Sequence, residues 1–458
     1  MFFSKRLELV GLAAWLMVGA CDPRVFDDLG SKAPVQVAEA PSGLDHFGPG
    51  LVSMDGRGQD ADRPQVAVAA GMGTEALVVA KGLSDGRMEL RSGGESPEAG
   101  TAGAVRALVQ TGRLSGPEGD GPGVLVGVPE FGVVYAAVLG RTGEPMGLAD
   151  RVLTAGDCNL SDMDEFGGGL GAADLDGDGH DEWIVRSRYS LCVFGAADLT
   201  AAPLSCPLLT NCQDCDDFHS WDGPLATGRL LNLPAGRSTL VVGLPSKTRG
   251  SVHFLAMSGS GSILDQSCDD VDIQTFDLQA PAGMASFGSA LVVADLDGDG
   301  WDELFVGAPG EQKVFVYSVP AGGSTDWANA TPVLEVTPEN TAEARAFGAA
   351  MTLADLDGDG RLELAVGDPD AKVGGEDLAG RVHLFSLDLA GMTATRLAVL
   401  QEREPDRAHH LGKALGRIVP SGETWRRSGG LAHELLVTAD EALYLFLETG
   451  TEGDVWNR

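Results

Sequence analysis

A ring of small four-stranded β-sheets is the architecture the sequence predicts, and three observations predict it. The chain is rich in residues that turn a backbone, with 64 Gly and 23 Pro in 458 residues, about 19% together, against roughly 12% in average usage. An acidic string recurs in fixed register with a Phe-Gly pair, and the recurring unit is about sixty residues long. Units of that length fill nearly everything after residue 46. A hydrophobic fraction of 43% beside 22% charged residues supports a large buried core and excludes disorder of the whole chain.

The first element is not part of the ring. Lys5 and Arg6 precede an apolar run from Leu9 to Ala20, the pattern of an export signal. Twelve residues are too few to cross a bilayer core of about 30 Å as a helix, which takes roughly 20. Val18, Gly19 and Ala20 lead into Cys21, and this small-residue approach to a cysteine resembles the lipobox of bacterial lipoproteins, with Val18 where Leu is commoner. The resemblance implies cleavage before Cys21 and lipidation of Cys21. It makes residues 1–20 a signal peptide and 21–40 a tether and closing strand. It also implies a bacterial cell envelope location, on the periplasmic face or the cell surface, with the membrane reached only through the lipid. An ordinary secretory signal is the alternative.

Six further cysteines, Cys158, Cys192, Cys206, Cys212, Cys215 and Cys268, lie in the middle of the chain. In an oxidising compartment that count predicts up to three disulfides, with 15 possible pairings. Cys212-x-x-Cys215 is also half of a zinc pattern, but no second pair of matching spacing follows.

The repeat is read from the string DLDGDG, which begins at Asp174, Asp295 and Asp355. Each copy has Phe-Gly eight residues earlier, at Phe166-Gly167, Phe287-Gly288 and Phe347-Gly348. Spacings of 121 and 60 show that one unit lacks the string. Twelve residues after the second and third copies come Gly307-Ala308-Pro309 and Gly367-Asp368-Pro369, each behind a β-rich run. Lys313–Tyr317 and Arg381–Phe385 follow and read as strands. One unit is therefore strand, acidic loop, strand, turn, strand.

Weaker units complete the count. Val124 to Pro129 and Leu240 to Pro245 carry the Gly-x-Pro turn, and sixteen residues before each of those glycines stands Thr-Gly-Arg-Leu, at 111–114 and 227–230. A first unit begins at Phe47-Gly48, and a last begins at Leu411-Gly412 and runs through Glu434 to Thr438 and Leu443 to Leu447. Seven units across residues 47–458 take about 59 residues each, which leaves no room for a separate catalytic domain. The fold class is all-β: a seven-bladed β-propeller of four-stranded blades over residues 41–458, an arrangement that protects sheet edges. The segment from Pro34 is similar to the one from Pro332, yet has no blade before it, and the last unit shows only three strands. The strand around Val35 to Ala38 is therefore expected to complete the seventh blade and close the ring.

The acidic loops predict cation sites. In blade 3, Asp174, Asp176, Asp178 and Glu182 fall at positions 1, 3, 5 and 9, with Gly179 at the bend and the His180 carbonyl at position 7. The matching sets are Asp295, Asp297, Asp299, Glu303 with Trp301 in blade 5, and Asp355, Asp357, Asp359, Glu363 with Arg361 in blade 6. Alternate side chains around one centre give the hard, numerous oxygens that Ca²⁺ accepts, so about three Ca²⁺ sites are expected. An EF-hand is excluded because its bidentate Glu at position 12 is replaced by Val185, Val306 and Val366.

These motifs resemble the FG-GAP repeats of integrin α-subunit propellers and their bacterial relatives. Phe287-Gly288, the loop Asp295 to Glu303 and Gly307-Ala308-Pro309 carry the resemblance, with Phe347 to Pro369 close behind. It implies a seven-bladed propeller with Ca²⁺ in hairpin loops on one face and ligand contacts on the other. This chain departs from the pattern in three respects. Position 9 is Glu where the family has Asp, and Asp181 and Asp302 beside it are alternative ligands. Blade 3 has Arg186-Ser187-Arg188 at the turn. Blade 1 has Arg57 and Gln59 at positions 3 and 5, which argues against a site there.

A formal charge of −35, from 67 acidic and 32 basic residues, repels nucleic acid and anionic lipid. No nucleophile elbow, P-loop or zinc helix is present, and His409-His410 reads as a polar loop rather than a metal pair because adjacent strand residues face opposite sides. The sequence therefore predicts no enzyme. It predicts a calcium-stabilised, lipid-anchored binding or adhesion module for a protein or glycan ligand. The alternatives are a structural subunit of an envelope complex, and a polysaccharide-acting enzyme whose carboxylate pair no motif would mark.

Overall fold

The structure is a computed structural model. It describes residues 35–39, 44–54, 66–73, 75–82, 88–95, 107–116, 119–139, 145–158, 160, 165–188, 190–195, 223–233, 237–245, 250–256, 276–280, 285–319, 327–356, 359–402, 408–418 and 434–446, largely as backbone before residue 123. Cys21, Asp357 and the blade 1 positions Arg57 and Gln59 lie outside the described residues.

The described chain is all-β apart from two short 3-10 turns. Its strands form seven antiparallel sheets, six of four strands and one of three. In chain order they are sheets I (44–95), II (107–154), III (169–194), IV (225–279), V (290–336), VI (350–400) and VII (415–446). Within a sheet, consecutive strands pair as a meander. Sheet VII is the exception, because its fourth strand is Val35–Glu39, which pairs with Ala442–Phe446, Val35 opposite Phe446 and Glu39 opposite Ala442.

Each sheet grades from inside to outside. Second strands such as Glu303–Ala308 (ELFVGA) and Glu363–Asp368 (ELAVGD) are buried at every position, as suits apolar runs packed on both faces. Fourth strands differ: in Leu334–Val336 the middle residue is exposed and its neighbours are buried. First strands touch one another in series. Leu44–Met54 lies against Ala107–Gly116, which lies against Gly169–Ala173, and the chain of contacts runs through Leu225–Gly228, Ala290–Ala294 and Ala350–Ala354 to Leu415–Ile418, which lies back against Leu44–Met54.

Cores form between successive sheets. Phe287 is fully buried with Val241, Val252 and Phe254 of sheet IV on one side and Leu304, Val306 and Tyr317 of sheet V on the other. Phe347 does the same between sheets V and VI, and Leu411 takes the place of Phe between VI and VII. Burying each such side chain stabilises the seam by about 1.5–3 kcal/mol.

The glycine after each of these residues explains why the motif has two letters. Gly167, Gly288, Gly348 and Gly412 all have φ between 89° and 92°, a region that side chains disfavour. Their carbonyl oxygens sit where a Cβ would be on Gly127, Gly243, Gly307 and Gly367 of the preceding sheet, 2.0 to 2.2 Å from that imagined atom. The two glycine motifs of neighbouring sheets are thus halves of one joint. Sheet III breaks the pattern, because Arg186 stands opposite Gly169 where Gly307 stands opposite Ala290. Its guanidinium is buried and donates to the Gly168 carbonyl at 2.5 Å.

The cysteines reach fewer bridges than the upper count of three. Cys158 is disulfide-bonded and Cys192 is a free, buried thiol, which leaves at most two bridges among the six, and Cys206, Cys212, Cys215 and Cys268 lie outside the described residues. Strand packing holds Cys192 in an apolar core with Trp183 and Phe194, and burial pushes its thiol up to about 12, far from a reactive thiolate.

Gly307→Ala is expected to lower stability by about 1–3 kcal/mol through the clash with Gly348. Gly375→Ala, at φ 102° with open space around it, carries only the backbone cost of about 1–2 kcal/mol. Thermal unfolding of both variants checks this, and a smaller loss for Gly307→Ala than for Gly375→Ala would contradict the joint.

Candidate metal centre

The acidic loops are the hairpins between first and second strands, at the end of each sheet away from the glycine joint. Ala173, Ala294 and Ala354 end their first strands opposite Glu182, Glu303 and Glu363, which begin the second. Glycines at positions 4 and 6 take positive φ in sheets III and V, for example 76° at Gly298 and 88° at Gly300. The backbone can therefore coil tightly enough to aim alternate aspartates inward.

Each loop is wound around its own aspartates. Asp174 Oδ1 accepts from the Gly177 N–H at 2.6 Å and Oδ2 from Gly179 at 3.0 Å. Asp176 accepts from Asp178, and Asp178 from His180, at 3.0 and 2.8 Å. The loop of sheet V repeats this bond for bond, with Asp295 accepting from Gly298 and Gly300, Asp297 from Asp299, and Asp299 from Trp301. In sheet VI, Asp355 accepts from Gly360 at 3.0 Å and Asp359 from Arg361 at 2.7 Å. The N–H of the position 7 residues His180, Trp301 and Arg361 thus faces back into the loop.

Carboxylate oxygens converge in two of the loops. Those of Asp174, Asp176 and Glu182 lie within 4.8 Å of one another, as do those of Asp295, Asp297 and Asp299. The sets differ from the expected four: Asp178 is outside the first and Glu303 outside the second. The position 9 glutamates have a second task that the spacing did not reveal. Glu182, Glu303 and Glu363 each accept the N–H of position 2, from Leu175, Leu296 and Leu356, at 2.8 Å. The other oxygen of Glu303 accepts from the Ser318 hydroxyl at 3.1 Å. The longer Glu arm therefore closes the loop onto the strand.

Burial is the main cause that raises the Glu182 and Glu303 carboxyls to about 7, with neighbouring aspartates adding to it. A donor set of oxygens only, crowded enough to repel, fits a hard cation that accepts flexible geometry. Asp302 does not serve as an alternative ligand in this arrangement, because its Oδ2 accepts the Arg229 N–H of sheet IV at 2.5 Å. His409 and His410 form no metal pair: His409 Nε2 lies 2.6 Å from the Tyr444 hydroxyl, which donates to Glu402, and His410 Nδ1 lies 2.8 Å from Asp440. Ser318 and Arg229 were not singled out as site residues from sequence. Only the repeated Thr-Gly-Arg-Leu string pointed toward Arg229.

Residues 287–323 and 347–385 match the FG-GAP repeat. Mouse integrin alpha-3 is 28% identical over 236 residues, 50% of this chain and 19% of its own length. Human integrin alpha-8 is 33% identical over 168 residues, 35% of this chain and 15% of its own. The match thus spans about a fifth or less of these relatives. A solved Lactobacillus plantarum protein aligns at TM-score 0.46 and 13% identity, covering 79% of this chain and 86% of that one. The chain carries FG-GAP repeats, and integrin alpha subunits are among the proteins it resembles.

A carboxyl raised in the folded state stabilises the protein below its ordinary value, and that contribution is lost as pH rises through the folded one. Cation-free protein is therefore expected to lose stability between pH 4.5 and about 7. Glu303→Gln should flatten part of that loss, measured as melting temperature against pH in EGTA. A profile identical to wild type would remove Glu303 as a source.

Proposed function

We propose that this chain is a calcium-stabilised, seven-bladed FG-GAP propeller, exported and lipid-anchored in a bacterial cell envelope, that holds a protein or glycan ligand. The observation that carries the reading is the convergence of carboxylate oxygens within 4.8 Å at the same hairpin of sheets III and V, one of them inside a matched FG-GAP repeat. The contacts of first strands in series and the pairing of Val35–Glu39 with the last sheet support seven blades and a closed ring. Closure by the N-terminal strand also supports a tether that begins close to the body.

Support for the anchor is the basic and apolar N-terminus ending at Cys21. No helix among the described residues is long and apolar enough to cross a membrane. Asp174, Asp176, Asp178 and Glu182, then Asp295, Asp297, Asp299 and Glu303, then Asp355, Asp357, Asp359 and Glu363 are assigned as cation ligands, with the position 7 carbonyls of His180, Trp301 and Arg361. Ca²⁺ would supply the charge that lets these carboxylates approach one another. The proposal assigns the propeller no catalytic role: binding is its function, and the end of the sheets away from the acidic loops is left for the partner.

Calorimetric unfolding of residues 22–458 in 1 mM Ca²⁺, in EGTA and in Mg²⁺ tests the reading. A site with a dissociation constant near 10 μM adds about 2.7 kcal/mol at that concentration, so a calcium-selective rise in melting temperature is expected. Asp297→Ala should destabilise the protein in calcium and change little in chelator. Equal destabilisation in both would remove the metal role.

A further inference from the structure

Sheet IV has no acidic loop, yet it stands between two sheets that do, and its hairpin touches both. Gly228 ends the first strand opposite Thr239, so Arg229 occupies the place that Asp295 takes in sheet V. It serves the neighbouring loop rather than its own. The Arg229 N–H donates to Asp302 Oδ2 at 2.5 Å, and its carbonyl accepts the Asp302 N–H at 3.2 Å. Its guanidinium Nη1 donates to the Gly300 carbonyl at 3.0 Å, and the guanidinium carbon Cζ lies over the Trp301 ring, 4.3 Å from the centroid. Gly228 makes room for this approach, since a Cβ there would lie 2.6 Å from Asp302 Oδ2. On the other side of the same hairpin, Arg237 Nε donates to the Asp176 carbonyl and the Ser238 N–H to the Asp174 carbonyl, both at 2.8 Å.

The sequence pattern has the same logic. Thr-Gly-Arg-Leu occurs in units 2 and 4, and the loop that follows each carries Asp at position 8, Asp181 and Asp302. The loop of sheet VI, which follows a sheet with its own acidic loop, has Leu362 there.

We propose that Arg229 is a positioning residue for the cation loop of sheet V, holding positions 6, 7 and 8 in the shape the cation needs before it arrives. The inference rests on the cation reading above. Fixing the Gly300 carbonyl and the Trp301 ring sets the peptide whose next carbonyl is the position 7 ligand, and tying Asp302 to sheet IV keeps a fifth carboxylate out of the cluster. A loop held in its bound shape loses less freedom on binding, and residues that orient ligands in this way are worth about 10–100-fold in metal affinity. The cation is also tied across the seam between sheets IV and V, so occupancy of one loop stiffens two sheets.

Terbium(III) titration of the full exported chain, excited through tryptophan, reads this loop directly, because Trp301 lies within it and Trp301→Phe identifies its share of the signal. Arg229→Gln is expected to weaken the Trp301-dependent site about tenfold or more, with a melting temperature in EGTA close to wild type. Asp302→Ala, which removes the separate bond that Asp302 Oδ2 accepts from the Arg229 backbone N–H, should also weaken the site, and the double variant should lose less than the sum of the two because both contacts hold the same loop. Arg229→Lys, which keeps the charge but not the planar fork, should fall between. Unchanged terbium affinity in Arg229→Gln and Asp302→Ala, or a stability loss equal in EGTA and in cation, would make the tie structural only and overturn the proposal. Absence of Trp301-dependent terbium emission and of calcium stabilisation in wild type would instead overturn the cation reading, and this inference with it.

Discussion

The contact on which the rest of the structure depends is the joint between two glycines of neighbouring sheets. A carbonyl oxygen about 2 Å from where a Cβ would stand leaves no alternative residue on the receiving side. A φ near 90° leaves little alternative on the donating side. The joint fixes how closely two sheets approach at one end, and that approach sets the slot into which Phe287 or Phe347 is inserted. Backbone contact supplies the geometry, and the aromatic ring supplies most of the energy. Each joint uses the end of a second strand and the start of the next first strand, so at the four seams where the described residues form it the hairpins at the other end remain free to vary.

That separation explains why some sheets carry acidic loops and others do not. The hairpins of sheets III and V are wound around aspartates that accept backbone N–H groups, a pattern each hairpin forms locally. Sheet IV shares the joint but follows its first strand with Arg229 where sheet V has Asp295. The joint itself tolerates one substitution of kind, in sheet III, where the buried Arg186 guanidinium takes the place of the close backbone approach and bonds the Gly168 carbonyl. A side chain can fill that space only by turning back over its own sheet, and Gly169 permits it, since a Cβ there would lie 2.4 Å from Arg186 Nε.

Strand identity was legible in the sequence because period and punctuation agree. Lys313–Tyr317 and Glu434–Thr438 have the bounds that their apolar runs suggest. The acidic loops were legible as loops and as clusters of acids. The division of labour inside them was not. That Glu303 would turn to Leu296 and Ser318 depends on the third strand lying beside the loop, a contact fifteen residues away that no spacing rule contains. Asp302 beside Glu303 looked like a spare ligand because sequence distance hides the 73 residues between it and Arg229. The cysteine count bounds the bridges from above only, and Cys192, in the third strand of sheet III, is a free thiol in the same core cluster as Trp183 and Phe194.

Part of the acidic excess of the chain is gathered in these loops. Surplus carboxylates spread over a surface would repel only weakly through water and salt, but here several are held within 4.8 Å of one another by hydrogen bonds that also shape the backbone. Replacing one of them by a residue without an acceptor would spare the repulsion and lose the turn, because each aspartate accepts the N–H groups that bend the loop. The loops therefore cannot relax by local substitution of neutral residues of another shape. Relief has to come from a positive charge placed from outside, and two kinds are within reach: a cation in the cluster, and the arginines that sheet IV extends to the backbone of the loops on either side. The second acts on the rim and not on the carboxylates at the centre, so it orders the loop without replacing the first. The hairpin of sheet IV carries no acid, and Arg229 stands there at the position that the first aspartate takes in the hairpin of sheet V.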